Sequence, residues 1–307
     1  MVGSMTNGAN VTGAAKTQNF SDALEHAQKN GIAIGHFNVA DLVLLKAVFT
    51  SAQELGVPVL VGVSEGEREF MGVRQVAALV RSFREEFDFP VFLNADHTHS
   101  LEKAVAAANA GFDAISFDLS ALPFADNIRQ TRHAVEVLKA INPSILVEGE
   151  IGDIGTGSEI HEEALSRKQV LTTPAEAEEF VSGTGIDILA AAVGNAHGMS
   201  RSMVQGEKKK RLDIERIAEI KSATGMPLTL HGGSGTDDGD LRHAIAAGIT
   251  IVHINTELRV AWRAGLENSL AQQPGQVVPY RILSPVVDSV KQVVTSRLKL
   301  FNRPHAS

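Results

Sequence analysis

Three histidines carry the first chemical signal in this sequence. His97, His197 and His231 each stand where a short run of apolar and β-branched residues gives out, and no local spacing motif joins them. Three neutral imidazoles with an open fourth position describe a catalytic zinc rather than a closed structural one. A single histidine at such a place is as readily a hydrogen-bonded structural residue, but three at corresponding places are hard to explain by packing. The chain has no cysteine, so a bound metal must take imidazole and carboxylate ligands. Asp96 directly precedes His97 and sets a potential general acid or base beside one ligand. Its plainer roles are support for that ligand or a cap for the segment starting at Ser100.

A second signal is anion binding. HGGSG at 231–235 follows an apolar run and leads toward a helical stretch, so backbone N–H groups near Gly232, Gly233 and Ser234 could point at a phosphate. The INTE segment at 254–257 adds donors at Asn255 and Thr256 next to another helix start. A Schiff-base mechanism would need a lysine inside the fold. The lysines fall at 16, 29, 46, 103, 139, 168, 208–210, 221, 291 and 299, none on a strand-like run, which favours metal chemistry. The run Lys208–Arg211 reads as a solvated loop, with a phosphate-closing lid as the sharper alternative.

What must position these residues is legible in the punctuation. Strand-like runs fall near 33–37, 58–63, 91–95, 113–117, 145–150, 187–193, 227–231 and 249–254. Amphipathic stretches follow at 41–55, 73–86, 100–110, 126–140, 174–182, 213–223, 237–247 and 257–270. Ser100 and Gly111 bracket one helix, and Thr173, Pro174 and Glu176 supply a capping box with proline at the first helical position. Strict alternation over eight units predicts a closed (β/α)8 TIM barrel, with further helices near 21–30 and 285–301. Residues 1–18 read as a flexible arm and 19–307 as one domain. In this fold active sites collect at the C-terminal strand ends. Those ends carry Asn38, Ser64, Asp96 with His97, Asp118, Glu150, His197, His231, and Asn255 with Thr256.

Several of these segments, in order, resemble the class II fructose- and tagatose-bisphosphate aldolases. They are GHFNVADL at 35–42, residues 94–128 beginning NADHTH, LVEGEIGDIG at 146–155, AVGNAHG at 192–198, LTLHGGSG at 228–235, and INTE. The resemblance implies a lyase that reversibly cleaves a ketose (bis)phosphate to dihydroxyacetone phosphate and an aldehyde, as in glycolysis and related carbohydrate metabolism. It implies zinc on His97, His197 and His231, with Asp118 and Glu150 holding an alternate metal position and Asp96 as acid/base. Gly198, Gly232 and Ser234 match phosphate-loop positions, Asn255 and Thr256 the phosphorylated ketone half, Ser64 the aldehyde half, and Asn38 a polar place near the substrate. A monovalent cation held by backbone carbonyls beside the phosphate, and a homodimer or homotetramer, are further expectations.

The chain departs from the family pattern at a few positions. Asn94 stands where a histidine is usual, Glu159 is displaced by one residue from its usual place after Gly155, Thr156, Gly157 and Ser158, and Ile251 and His253 replace a lysine and an asparagine. Glu159 is a candidate for a second proton transfer, and His253 for altered contacts to the ketone half. These changes keep open another metal lyase or isomerase on a phosphorylated hydroxyketone, or a non-catalytic aldolase-like subunit that binds sugar phosphate. The net charge of −8 offers no general attraction to nucleic acid or to an anionic membrane. No apolar run approaches a bilayer span and the N-terminal stretch lacks an apolar signal region, so the expected place is the cytoplasm.

Overall fold

A computed structural model describes residues 19–155, 157–161 and 170–303; the proposed arm at 1–18 lies outside the described residues. Eight parallel strands close into a barrel: β1 (Ile34–Asn38), β2 (Val59–Val63), β3 (Val91–Thr98), β4 (Ala114–Phe117), β5 (Leu146–Ile151), β7 (Ile188–Ala191), β9 (Leu228–Leu230) and β10 (Ile249–Ile254). Around the ring they run β1-β10-β9-β7-β5-β4-β3-β2. The eight expected strands are all present. A two-stranded sheet of β6 (Ile160–His161) and β8 (Met199–Ser200) lies outside the barrel and was not expected.

The helices are α1 (Phe20–Asn30), α2 (Leu42–Leu55), α3 (Glu65–Met71), α4 (Val73–Phe87), α5 (Leu101–Ala110), α6 (Phe124–Ile141), α7 (Pro174–Thr184), α8 (Arg201–Val204), α9 (Ile214–Thr224), α10 (Asp238–Ala247), α11 (Thr256–Gln272) and α12 (Pro279–Phe301). Their ends follow the expected chemistry. Ser100 Oγ accepts from Lys103 N at 3.3 Å, and Thr173 and Glu176 form the reciprocal capping box, with Pro174 opening α7. The short α3 and α8 were not expected, and α12 starts at Pro279 rather than near Pro285. Proline at a first helical turn is favourable because no N–H is lost there. Pro279 takes that role, while Pro285 is carried inside the helix.

A closed barrel buries every second side chain of each strand in its interior, and here that alternation builds three tiers. At the bottom, Ile34, Leu60, Phe92, Ala114, Leu146, Ile188 and Ile251 form an apolar cluster with Phe20, Ala23, Leu24 and Ala27 of α1. Helix α1 therefore plugs the barrel. Two residues further along the strands the interior turns polar, with His36, Asn94, Ser116, Glu148 and His253 all buried. Two residues further again come Asn38, Ser64, Asp96, Asp118, Glu150 and Asn255, at the mouth. A larger second core fills the space between the barrel and the surrounding helices.

Separating the plug from the mouth makes stability and site separable. Phe20 packs on Phe92 with ring centroids 5.0 Å apart. Phe20→Ala should cost about 3–5 kcal/mol, the usual range for a deleted core phenylalanine, while the folded fraction keeps its metal stoichiometry. Urea unfolding and metal analysis check this, and an unchanged unfolding midpoint would show that the plug is dispensable.

Candidate active site

The three signal histidines meet at the mouth. His97 lies on β3, His197 in the loop after β7, and His231 directly after β9. His97 Nε2 stands 3.0 Å from His231 Nδ1, and the His197 ring is 4.7 Å from that of His97 between centroids. One nitrogen from each of the three lies within 4.8 Å of the others. Two imidazole nitrogens at 3.0 Å cannot face each other as bare lone pairs; a proton or a metal ion belongs between them. His197 Nε2 is buried with no hydrogen-bond partner, which leaves an imidazole nitrogen free to ligate.

The far nitrogens of two of these rings are held by carboxylates. His97 Nδ1 pairs with Asp118 Oδ2 at 2.9 Å, and His231 Nε2 with Glu148 Oε1 at 2.7 Å. Such outer contacts fix the tautomer and turn the other nitrogen toward a metal. Glu148 is itself braced by the Thr229 hydroxyl, and Asp118 by the amide and hydroxyl of Ser120 at 3.1 and 2.7 Å. Glu150 Oε2 is 3.7 Å from His97 Nδ1, so His97, Asp118 and Glu150 form a second grouping close enough to share an ion. The donor set fits a divalent metal in both places. His97 has φ +41°, a conformation that costs a non-glycine residue free energy and collects at functional sites. The β3–β4 register also slips between Ala95 and Thr98.

These groups shift one another's protonation. Burial disfavours charge on His97, but Asp96, Asp118 and Glu150 outweigh it and raise His97 to about 10. Burial and the neighbouring Asp118 push Glu150 up to about 7. For Glu148 burial is overcome by His231, holding the carboxyl down at about 2. Burial also opposes ionisation of Asp96, yet His97 and His253 keep it well below the usual carboxylate range, in the state that can accept a proton.

Asp96 is positioned from three sides. Its Oδ2 accepts from Asn38 Nδ2 at 2.8 Å, its Oδ1 lies 3.3 Å from His253 Nδ1 and 4.0 Å from His97 Nε2, and its carbonyl accepts from Arg68 at 3.2 Å. Asn38 donates also to Glu67 Oε2 at 2.9 Å, and Glu67 accepts from Arg259 at 2.8 Å, whose other nitrogen donates to Ser158 O at 2.9 Å. Arg259 lines the open mouth with Ser64, Asp96 and Glu159 and, among the described residues, is the one lysine or arginine in that lining. Glu159 is exposed there. Two further histidines flank the ligands, of which His99 is half-exposed with Nδ1 2.9 Å from Asp118 O. His36 is buried, stacked on His253 at 3.4 Å between centroids.

Beside the histidines is a smaller recess lined by Gly198, Gly232, Ser234, Asn255 and Thr256 together with Asn38, Asp96 and His253. Gly198 and Gly232 have φ +72° and +64°, and a Cβ at Gly232 would lie 2.3 Å from Ala196 O, so only glycine fits this approach of two loops. Among the described residues the amides of Gly198, Gly232 and Ser234 have no hydrogen-bond acceptor. Gly233 corrects the sequence expectation: its N–H is spent on His253 O at 3.0 Å and does not point at a ligand. Ser234 Oγ accepts from Asn255 N at 3.1 Å, tying the two phosphate-type segments together.

Lys208, Lys209 and Arg211 are exposed, as a solvated run would be, but Lys210 departs from that reading. It is 6% exposed, and its Nζ donates to Ala196 O at 2.5 Å and Gly232 O at 3.0 Å. Those are backbone carbonyls beside the glycine loops, the donors a free monovalent cation would need. With the ammonium on them, the residues present do not fit such a cation. Sequence reasoning also missed Glu148, Glu67, Arg68 and Arg259. Glu148 stood in the quoted VEGEIG segment, and Ser64 to Glu67 has the capping-box spacing that announces α3.

The family model described as fructose-bisphosphate aldolase class-II matches residues 18–305. The chain belongs to the class II fructose-bisphosphate aldolase family. It is 35% identical over 283 residues to a fructose-bisphosphate aldolase of Geobacillus stearothermophilus, covering 91% of this chain and 95% of that one. It is 32% identical over 284 residues to a probable fructose-bisphosphate aldolase of Bacillus subtilis, covering 92% and 96%. Among solved structures it is similar to the YdjI aldolase from Escherichia coli K12, at TM-score 0.78 and 28% identity over 94% of this chain and 98% of that one. A putative fructose-1,6-bisphosphate aldolase from Coccidioides immitis gives TM-score 0.78 and 26% identity over 94% and 97%. The protein is thus a lyase of a metal-dependent aldolase family, and the two other readings left open by its departures are not favoured.

Within an aldolase of this kind the outer carboxylates should matter as much to metal affinity as to shape. Glu148→Gln keeps the size but removes the charge facing His231, and should weaken divalent-metal binding by roughly 10–100-fold. Competition against a chelator at fixed pH measures it, with circular dichroism as the folding control. Unaltered affinity would remove Glu148 from the metal's support.

Proposed function

We propose that this chain uses zinc on His97, His197 and His231 to split a ketose bisphosphate reversibly into dihydroxyacetone phosphate and a phosphorylated aldehyde. The observation that carries the reading is the buried Asp96 carboxylate, 4.0 Å from His97 Nε2, set between the converging imidazoles and the glycine-lined recess. Three nitrogen ligands with an open position favour zinc among divalent ions. Bound there, it would supply Lewis acidity for the negative charge that develops on the C2 oxygen as the C3–C4 bond breaks.

The side chains divide the remaining work. Amides of Gly198, Gly232 and Ser234, with Asn255 and Thr256, hold the phosphate of the ketone half. Asp96 takes the C4 hydroxyl proton as the aldehyde forms and returns it in the reverse direction, while Asn38 and His253 keep its carboxylate in place. Ser64 faces the aldehyde half. Arg259, a cation at the open mouth, supports a second phosphate on that half and so a bisphosphate over a monophosphate. Glu159, exposed at the same rim, takes the separate proton at C3. Asp118 and Glu150 form the alternate metal position.

The wider expectations belong to the same proposal. Zero cysteines and a net charge of −8 support a cytoplasmic enzyme of carbohydrate metabolism, such as glycolysis, without nucleic-acid or membrane partners. Among the described residues no helix is long and apolar enough to cross a membrane. A homodimer or homotetramer belongs to the same proposal, and a monomer mass by sedimentation would remove that part.

Asp96→Asn should lower cleavage of ketose bisphosphates by roughly 10²–10⁴-fold, as for a lost general base, with metal content unchanged. Exchange of the C3 proton of dihydroxyacetone phosphate with solvent should suffer much less. Near-normal cleavage with metal bound would sink the assignment, and equal loss of both reactions would make Asp96 a positioning residue. In the same assays Arg259→Ala should raise KM for bisphosphates on the order of tenfold, the scale of one lost charge-assisted hydrogen bond, and leave monophosphates unaffected. Equal effects on both would remove Arg259 from the second phosphate.

A further inference from the structure

Lys210 is locked into the site by its backbone as well as its side chain. Its N–H donates to Gly235 O at 2.9 Å, and its carbonyl accepts from Asp237 N at 3.1 Å, clamping it along the end of the HGGSG turn. Its Nζ then reaches the carbonyls of the residue before His197 and the residue after His231. No carboxylate accepts from it among the described residues. Glu257, the acidic group acting on it at longer range, is already engaged by Gly235 N and Arg297. A buried ammonium without a carboxylate is costly. An ammonium has three donors, of which two are spent on carbonyls here, one of them that of Gly232, and the three loop amides without acceptors belong to Gly198, Gly232 and Ser234, which line the recess. Both facts point to an anion that completes the arrangement on binding.

We propose that the Lys210 ammonium is a tethered replacement for a free monovalent cation at the phosphate site: it holds the two glycine loops together through their carbonyls and supplies the positive charge a bound phosphate needs. The chain then requires no small monovalent cation for phosphate binding, because the carbonyls such an ion would use are occupied by the side chain. This rests on reading the recess as a phosphate site, so the test uses phosphate binding rather than turnover.

Inorganic phosphate is titrated calorimetrically into the metal-loaded protein at constant ionic strength in tetramethylammonium, potassium or ammonium chloride. Tetramethylammonium is too large for a two-carbonyl seat. The wild-type protein should bind phosphate equally in all three salts. Lys210→Met should lose on the order of tenfold or more in tetramethylammonium, the scale of one charge-assisted hydrogen bond, and recover in potassium or ammonium, which can enter the vacated seat. Wild-type binding that weakens tenfold in tetramethylammonium overturns the inference, and this arm needs no variant to fold. A folded Lys210→Met that binds like wild type in tetramethylammonium, or whose loss neither small cation restores, overturns it too. If the wild-type chain binds no phosphate in any salt, the phosphate reading itself fails and takes this inference with it.

Discussion

Closure of the barrel is the constraint on which the site depends. Each strand has one inward face, and whatever side chain falls on it is buried, so the polarity of every second residue decides what the interior can do. The lowest tier is apolar from Ile34 to Ile251 and is sealed by α1. Above it the strands carry His36, Asn94, Ser116, Glu148 and His253 inward. Buried polar groups are tolerable when they satisfy one another, and here they do so only in part, since His36 Nδ1, Asn94 Oδ1 and His253 Nε2 are buried with no partner among the described residues. His36 meets Asn94, Asn94 meets Ser116, Thr229 meets Glu148, and Glu148 meets His231. The middle tier is therefore the floor on which the mouth residues stand.

Electrostatics explains why that floor leads to a metal. Asp96, Asp118, Glu148 and Glu150 are all buried or nearly so around the histidines, and uncompensated carboxylates in such a place are expensive. Two adjustments within the chain lower the cost: Glu150 is raised to about 7 and gives up its charge near neutrality, and His97 is raised to about 10 and keeps a proton. A divalent ion on the imidazole nitrogens supplies the same positive charge in place of that proton, so metal binding and proton release from His97 are coupled. The strained backbone at His97 and the register slip beneath it set the ring at the centre of this exchange.

The barrel and its mouth were legible in the sequence because both are written locally. Alternating runs, caps and glycines announce elements, and in this fold the strand ends name the site. The middle tier was not legible that way. Asn94 or Glu148 inside an apolar run says nothing of what lies across the barrel, and only the registers, such as His36 opposite His253 and Ser116 opposite Glu148, bring them together. Lys210 shows the same limit. In a run of three lysines and an arginine nothing local marks the one whose backbone bridges to Thr236 and whose side chain turns inward. Gly233 is the converse: its place in a glycine-rich turn suits an anion, but a strand carbonyl had claimed its amide.

The departures from the family pattern make sense as one packing change rather than as separate losses. Asn94 takes the place of a usual histidine, and His253 that of a usual asparagine, and both lie in the middle tier. His36 connects them, stacked on His253 at 3.4 Å and with Nε2 3.1 Å from Asn94 Nδ2. An imidazole lost at one position is regained at the other, so the interior keeps its volume, which close-packed cores require. Burial favours the neutral form of His253 and lowers it to about 4, so the exchange adds no second cation beneath the metal ligands. Ile251, where a lysine is usual, falls in the apolar tier against α1, where an ammonium would have no partner. Lys210, by contrast, is an ammonium with partners: it lies between the two glycine loops, where two carbonyls receive it.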